Sequence, residues 1–277
     1  MIIPLYLLLF LVFFHSANAI AQPCWADLKA SSAPRTFILA MGANTGNLKK
    51  ANDDAQSFAD AIQKRFQVPS SQKCVRTDVT SWGILLDFKK LQHLVQVQDT
   101  VFLYFSGHGT TKPDDNHDEQ DCLDEVFVTY PSVSSITDDK FVKWVNKIKT
   151  HQIITFLDTC FASGMLRGDK GCPKRAKSKW FKRPFSQNDD SLPKPDCRVH
   201  RQLKQLKGIL YAAAKEEQNA WEYPNKGGIF TYTFLEYLKA APHADLDDIF
   251  RMTQKEVKEN TKNTACQQHP QRWVTQK

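Results

Sequence analysis

After Phe14 the sequence holds no second long apolar run, and nowhere in its 277 residues is there an internal repeat. The first absence excludes a body built on membrane-spanning helices, each of which needs about 20 consecutive apolar residues. The second excludes a solenoid or propeller of stacked units. The opening segment lacks Lys and Arg and is itself short. Ile2 to Phe14 is almost wholly apolar yet too brief to span a bilayer comfortably, and Ala17-Asn-Ala19 has the small-x-small form of a leader cleavage site. Residues 1–19 are therefore expected to be a signal peptide, with an uncleaved membrane anchor as the alternative. Residues 20–277 are expected to be one soluble, exported domain, secreted or periplasmic, that meets a membrane only through the signal segment.

Seven cysteines cannot all pair, and in an exported chain the leftover thiol is the informative one. Setting aside Cys160 leaves Cys24, Cys74, Cys122, Cys172, Cys197 and Cys266, an even set. Cys172 with Cys197 is the first pair expected, because the two flank an irregular stretch; several buried, unpaired thiols are the alternative. The net charge of +7 is equally uneven. From Arg167 to Lys207 thirteen Lys or Arg stand against four Asp, a net +9 that leaves the rest of the chain at about −2. The same stretch contains Pro173, Pro184, Pro193 and Pro195 and little apolar periodicity. It reads as an exposed, poorly ordered insertion over 167–207, in preference to a nucleic-acid surface.

Strand-like apolar runs alternate with amphipathic stretches. Strands are expected over 36–41, 74–77, 100–105, 125–130, 152–157 and 208–213, and helices over 49–66, 82–95, 138–148, 230–238 and 246–257. Such alternation argues for an α/β fold, a mostly parallel central sheet with helices on both faces. Two strands end on reactive residues: Val101-Phe-Leu-Tyr-Phe-Ser-Gly-His-Gly109 and Ile153-Ile-Thr-Phe-Leu-Asp-Thr-Cys-Phe-Ala-Ser-Gly164. A continuous apolar run is buried on both sheet faces, and ligands gather beyond the carboxyl ends of such strands. His108 and Cys160 would then face one crevice. A thiol with an imidazole partner is the minimum set for a cysteine nucleophile. Taken singly, Ser-Gly-His-Gly is a glycine-rich turn and Cys160 a buried structural thiol; the matched positions of the two argue for the dyad.

These segments resemble those of the caspase-like cysteine peptidases, in the metacaspase and bacterial caspase-like branch more than in the animal caspases. The spacing of His108 and Cys160 fits the family's separation of about 50 residues. The resemblance extends to Gly42-Ala-Asn-Thr-Gly-Asn-Leu-Lys-Lys-Ala-Asn-Asp-Asp-Ala55, Asp118-Glu-Gln-Asp-Cys-Leu-Asp-Glu125, Ile136-Thr-Asp-Asp139, Tyr211-Ala-Ala-Ala-Lys-Glu-Glu-Gln-Asn-Ala-Trp-Glu222 and Gly228-Ile-Phe-Thr231. It implies the caspase-haemoglobinase fold, with a large-subunit-like region over 36–166 and a small-subunit-like region over 208–277.

The resemblance also implies roles. The N–H groups of Gly109 and Cys160 would form the oxyanion hole, and Ala212 and Trp221 would lie in the wall of the substrate groove, although Trp221 equally suits a core. Asp158 stands where animal caspases carry Gln, on the side of the pocket for the residue preceding the cut bond. A carboxylate there attracts Lys or Arg and repels Asp; a turn-forming or capping carboxylate is the alternative. The family's second pocket acid is expected near the first strand, but Asn44-Thr-Gly-Asn47 has none, and Asp53 and Asp54 are assigned to the following helix. By resemblance to calcium-dependent members, Asp124, Asp138 and Asp139, with Asp169 after the nucleophile, would bind calcium. The alternative is a solvated acidic loop followed by a helix start that favours negative charge.

The sequence thus leads to an exported cysteine endopeptidase acting on protein or peptide chains after Arg or Lys. It would be able to cut itself in the basic insertion at Lys174, Arg175, Lys177, Lys179, Lys182 or Arg183, and no cofactor is required beyond the calcium just raised. An inactive member of the fold, acting as a binding module, is the alternative.

Overall fold

The computed structural model describes residues 24–25, 27–113, 123–160, 176–181, 202–215 and 218–275. Its elements run β1 (Thr36–Gly42), α1 (Ala51–Phe66), β2 (Lys73–Arg76), α2 (Ser81–Leu94), β3 (Thr100–Ser106), β4 (Gly109–Pro113), β5 (Leu123–Thr129), β6 (Ser134–Thr137), α3 (Asp138–Asn146) and β7 (Gln152–Asp158). They continue with β8 (Lys177–Ser178), β9 (Gly208–Ala212), β10 (Trp221–Tyr223), β11 (Gly227–Gly228), α4 (Ile229–Ala240), α5 (Leu246–Thr261) and β12 (Gln271–Thr275).

Six strands form the central sheet in the order β12-β9-β7-β3-β1-β2. All its pairings are parallel except that of β12, which closes the β9 edge antiparallel. The alternation of side chains along each strand sorts the core into two layers. Leu39, Met41, Leu103, Phe105, Ile153 and Leu157 join Phe88 and Leu91 of α2 and Phe141 and Val145 of α3. Ile38, Ala40, Phe102, Tyr104, Phe156 and Tyr211 join Phe58 and Ile62 of α1, Phe234 of α4 and Phe250 of α5. Phe58 stacks on Tyr104 with ring centroids 4.4 Å apart and meets Phe156 at 4.8 Å. Each such buried ring stabilises the fold by about 1.5–3 kcal/mol through removal from water alone.

Three helices are capped by side chains placed where a cap is needed. Thr80 accepts from the Gly83 N–H at the start of α2, Thr137 from Lys140 at α3, and Asp245 from Asp248 at α5. Asp138 and Asp139 occupy the first turn of α3, where the helix dipole favours negative charge.

Two departures from the sequence reading bear on the site. The strand expected at 125–130 is not in the central sheet; β5 pairs with β4 and β6 in a separate antiparallel sheet that continues directly from the His108 turn. A third small sheet, β11-β10-β8, takes its β8 from the basic insertion, which the sequence reading treats as irregular throughout. The cysteines resolve in part. Cys24 and Cys74 are joined, tying the chain before β1 to β2, and Cys266 is disulfide-bonded as well. The expected Cys172–Cys197 pair lies outside the described residues, as do residues 1–19. No helix among the described residues is long and apolar enough to cross a membrane.

Candidate active site

β3 and β7 lie side by side with Ser106 opposite Asp158, so the chain leaves both strands at one edge. From β3 it turns through Gly107 and His108 into β4; from β7 it passes Thr159 to reach Cys160. The two turns are pressed together. A Cβ on Gly109 would stand 1.7 Å from the Cys160 carbonyl oxygen, so only glycine lets them approach this closely. His108 and Cys160 are both buried, and Cys160 is the free cysteine among the described residues. Its Sγ accepts the Ala220 N–H at 3.1 Å and lies 3.5 Å from the Ala220 carbonyl, to which the thiol donates.

Burial sets the protonation of this pair. It pushes the Cys160 thiol up to about 12, with Asp158 adding to the effect and the Ala220 N–H and Lys179 offsetting part of it. It lowers His108 to about 4, helped by the positive charge of Lys179, while the carbonyls of Lys179 and Thr45 near the ring work the other way. In this state the two groups are a neutral thiol and a neutral imidazole.

Residues 176–181, from the basic insertion, lie against this pair. Lys177–Ser178 pairs antiparallel with Trp221 and Glu222. The Lys179 N–H donates to the Ala220 carbonyl at 2.9 Å, and the Lys179 carbonyl accepts the Gly109 N–H at 2.8 Å. One residue on, the Phe181 N–H donates to the Gly109 carbonyl at 2.9 Å. The lysine side chain, expected to be exposed, is instead fully enclosed. Its Nζ lies 2.9 Å from Asp158 Oδ1 and 3.6 Å from Asp54 Oδ2. It also donates to Ser106 Oγ at 2.9 Å and to the Asp158 carbonyl at 3.1 Å.

The ammonium thus lies against a carboxylate, a hydroxyl and a carbonyl, with a second carboxylate close behind. Burial opposes the ammonium charge, but Asp158 and Asp54 outweigh it and hold the Lys179 pKa above the usual lysine value. Asp54 itself is raised to about 6, by burial first and by Asp158, against the pull of Lys179. The pocket floor is the start of α4. Asp158 Oδ2 accepts the Thr231 hydroxyl at 2.6 Å and the Thr231 N–H at 3.3 Å, and a Cβ on Gly228 would stand 2.0 Å from that same oxygen. Asp158 therefore meets both the enclosed ammonium and a helix N-terminus.

The other residues singled out in the sequence divide. Trp221 pairs with the covering segment through its backbone, while its side chain packs into a core cluster with Ile229 and Val257. Ala212 ends β9 in register with Leu157, and Ala220 is the residue whose backbone meets Lys179. Asp124 sits on β5 and bridges to Lys112 across the small sheet at 3.0 Å. Among the described residues, three metal-ligating side chains come within 4.8 Å of one another only at Cys24, Cys74 and Asp87, where the two cysteines are already joined. Asp124, Asp138 and Asp139 do not form such a group among the described residues, and Asp169 lies outside them.

Asp54 is the residue the sequence reading left out of the pocket. It is carried in from the first turn of α1, not from 44–47. The signal was its place on the apolar face of that helix, three residues after Ala51 and four before Phe58, all buried.

Residues 36–276 match the family model of the caspase domain, peptidase family C14. Metacaspase-2 of Arabidopsis thaliana is 28% identical over 134 residues, 43% of this chain and 31% of the plant protein, so the chain spans under a third of that relative's length. Protein GSU0716 of Geobacter sulfurreducens superposes with a TM-score of 0.62 at 17% identity, over 87% of this chain and 94% of its own. Caspase-1 of Spodoptera frugiperda does so with 0.54 at 11% identity, over 87% and 86%. The mostly parallel sheet clothed on both faces is their fold, and the chain belongs to the caspase family of cysteine peptidases.

Proposed function

We propose that this protein is an exported cysteine endopeptidase that cuts protein chains after Lys or Arg with Cys160 and His108, and that its first substrate is its own Lys179–Trp180 bond. The observation that supports this is the posture of Lys179. Its side chain fills the two-acid pocket while its carbonyl oxygen rests on the Gly109 N–H. A substrate needs that combination, with specificity on one side of the bond and an oxyanion donor on the other.

The step then follows. Cys160 Sγ attacks the Lys179 carbonyl carbon as His108 takes the thiol proton. Because both groups rest neutral, proton transfer accompanies the attack and no resting ion pair is required. The oxyanion is held by the N–H groups of Gly109 and Cys160, each donor contributing about 3 kcal/mol to the barrier reduction. Collapse breaks the C–N bond, His108 returns its proton to the departing Trp180 nitrogen, and a thioester remains. Water, giving a proton to His108, hydrolyses that thioester and frees the Lys179 carboxylate, and the proton passes back to Cys160.

Export rests on the expected leader at 1–19, and the Cys24–Cys74 bond agrees with an oxidising compartment. The test is to incubate the chain beside Cys160→Ala. The products are identified by mass spectrometry, and reporter peptides ending in Arg, Lys, Asp or Asn are assayed in parallel. Cleavage at Lys179–Trp180 and turnover of Arg or Lys peptides, both lost in the variant, are expected. A folded chain with a free Cys160 that cuts none of them would instead be a binding module.

A further inference from the structure

The covering segment does not stop at the bond to be cut, and its continuation is as closely held as Lys179. Gly109 grips both sides of that bond, its N–H on the Lys179 carbonyl and its carbonyl on the Phe181 N–H. The Phe181 ring lies against the His108 imidazole, centroids 5.4 Å apart and planes tilted by 56°. The other wall is Gly46, where an added Cβ would come within 3.3 Å of the Phe181 ring and 3.1 Å of His108 Nε2. Gly46 has φ +54°, a conformation that favours glycine, so the wall is built to stay low. Trp180, between them, is half-buried against the core layer of α1 and α4.

We propose that Gly46, His108 and Gly109 form a subsite on the leaving-group side that selects an aromatic side chain at the second position after the cut. The inference rests on the peptidase reading above and narrows it. The substrate class becomes chains in which a basic residue is followed, two positions on, by a ring. The ring roofs the imidazole and keeps water from it while the histidine carries the proton to the departing amine. The backbone pair with Gly109 sets the register, so a ring one position earlier or later does not reach His108.

The test uses quenched peptides of sequence Ala-Lys-Ser-Lys-Trp-Phe, matching residues 176–181, and the same peptide with Ala for Phe. The self-processed enzyme is used, with Cys160→Ala as the blank, and the cut bond is read by mass spectrometry. The expected result is a kcat/KM at the Lys–Trp bond about tenfold higher with Phe than with Ala, the size of one aromatic pair and its buried area. A third peptide, Ala-Lys-Ser-Lys-Ala-Phe, removes the ring next to the cut and keeps the one two positions on, and it is expected to stay well above the Ala peptide. Equal rates on all three overturn the subsite and leave the peptidase standing. No cleavage of any peptide, from enzyme whose Cys160 still reacts with iodoacetamide, overturns both.

Discussion

Lys179 Nζ and Asp158 Oδ1 stand 2.9 Å apart with neither side chain exposed to solvent. An enclosed pair of this kind is costly to break by removing one partner, because the other charge stays buried. Lys179→Gln should therefore cut self-cleavage at this bond by about a hundredfold or more, corresponding to roughly 3 kcal/mol. Lys179→Arg keeps the charge and should keep a slower cut, since the planar guanidinium cannot reproduce a three-point fit made for an ammonium. A time course on gels decides; undiminished cleavage in Lys179→Gln would sink the pocket assignment.

The two pocket acids should differ in weight. Asp158 makes direct contact with the ammonium, whereas Asp54 lies at 3.6 Å and is held by Ser106 and the Gly228 N–H. On lysine peptides Asp158→Asn is expected to lower kcat/KM by about a hundredfold and Asp54→Asn by about tenfold. The reverse order would mean that substrates sit deeper than Lys179 does.

Much of this was legible in the residues, and the exceptions have physical reasons. Two apolar runs ending on His108 and Cys160 report a parallel sheet with reactive ends, because a strand buried on both faces must be apolar throughout. Asp54 was visible only as a carboxylate on the apolar face of α1, and nothing local says which pocket such a residue enters. Lys179 was one of six basic residues in a stretch whose composition spoke for solvent. What buries it is the pairing of Lys177–Ser178 with Trp221–Glu222, a contact over forty residues away in sequence that no local pattern encodes. Nothing in the sequence marks Ala220, because it meets Lys179 through its backbone, and backbone groups leave no mark on the identity of the residue.

Asp54 gives the pocket a pH dependence with two opposite signs. Its folded pKa of about 6 exceeds the ordinary 3.8. Between those values the folded chain binds this proton more tightly than the unfolded chain does. This residue's contribution to stability therefore declines as pH rises through that window. Recognition runs the other way. Below about pH 6 the pocket around Lys179 loses one of two negative charges, so self-cleavage of the intact chain should slow as pH drops. Asp54→Asn should flatten both slopes, leaving only the lower limb that belongs to His108. Urea unfolding and initial rates between pH 4 and 8 measure the two, and an acid limb near pH 6 that survives in the variant would assign it elsewhere.

The Cys24–Cys74 bond closes a loop across 50 residues that contains β1 and α1, the helix bearing Asp54. Constraining the unfolded chain over such a loop contributes about 2–4 kcal/mol. Replacing both cysteines by Ser should lower the denaturation midpoint accordingly while leaving the Lys-against-Asp preference intact. A changed preference at full stability would show that the link shapes the pocket and not only the fold.

Residues 176–181 are expected to control how readily Cys160 reacts. The thiol stands near 12 chiefly because it is buried, and the segment is bonded through its backbone to Ala220 and Gly109 beside it. In the intact chain iodoacetamide should label Cys160 slowly even at pH 9. Lys179→Gly removes the anchor that holds the segment down and leaves the bond itself uncut. Water then reaches the site, and since desolvation was the main cause of the shift, the thiol should return towards its ordinary pKa of about 8.5. Labelling at pH 8 should rise more than about tenfold, the thiolate fraction having grown by far more than that. Equal labelling of the two chains would mean that Cys160 is closed off by the sheet itself, and that cutting after Lys179 does not open the site.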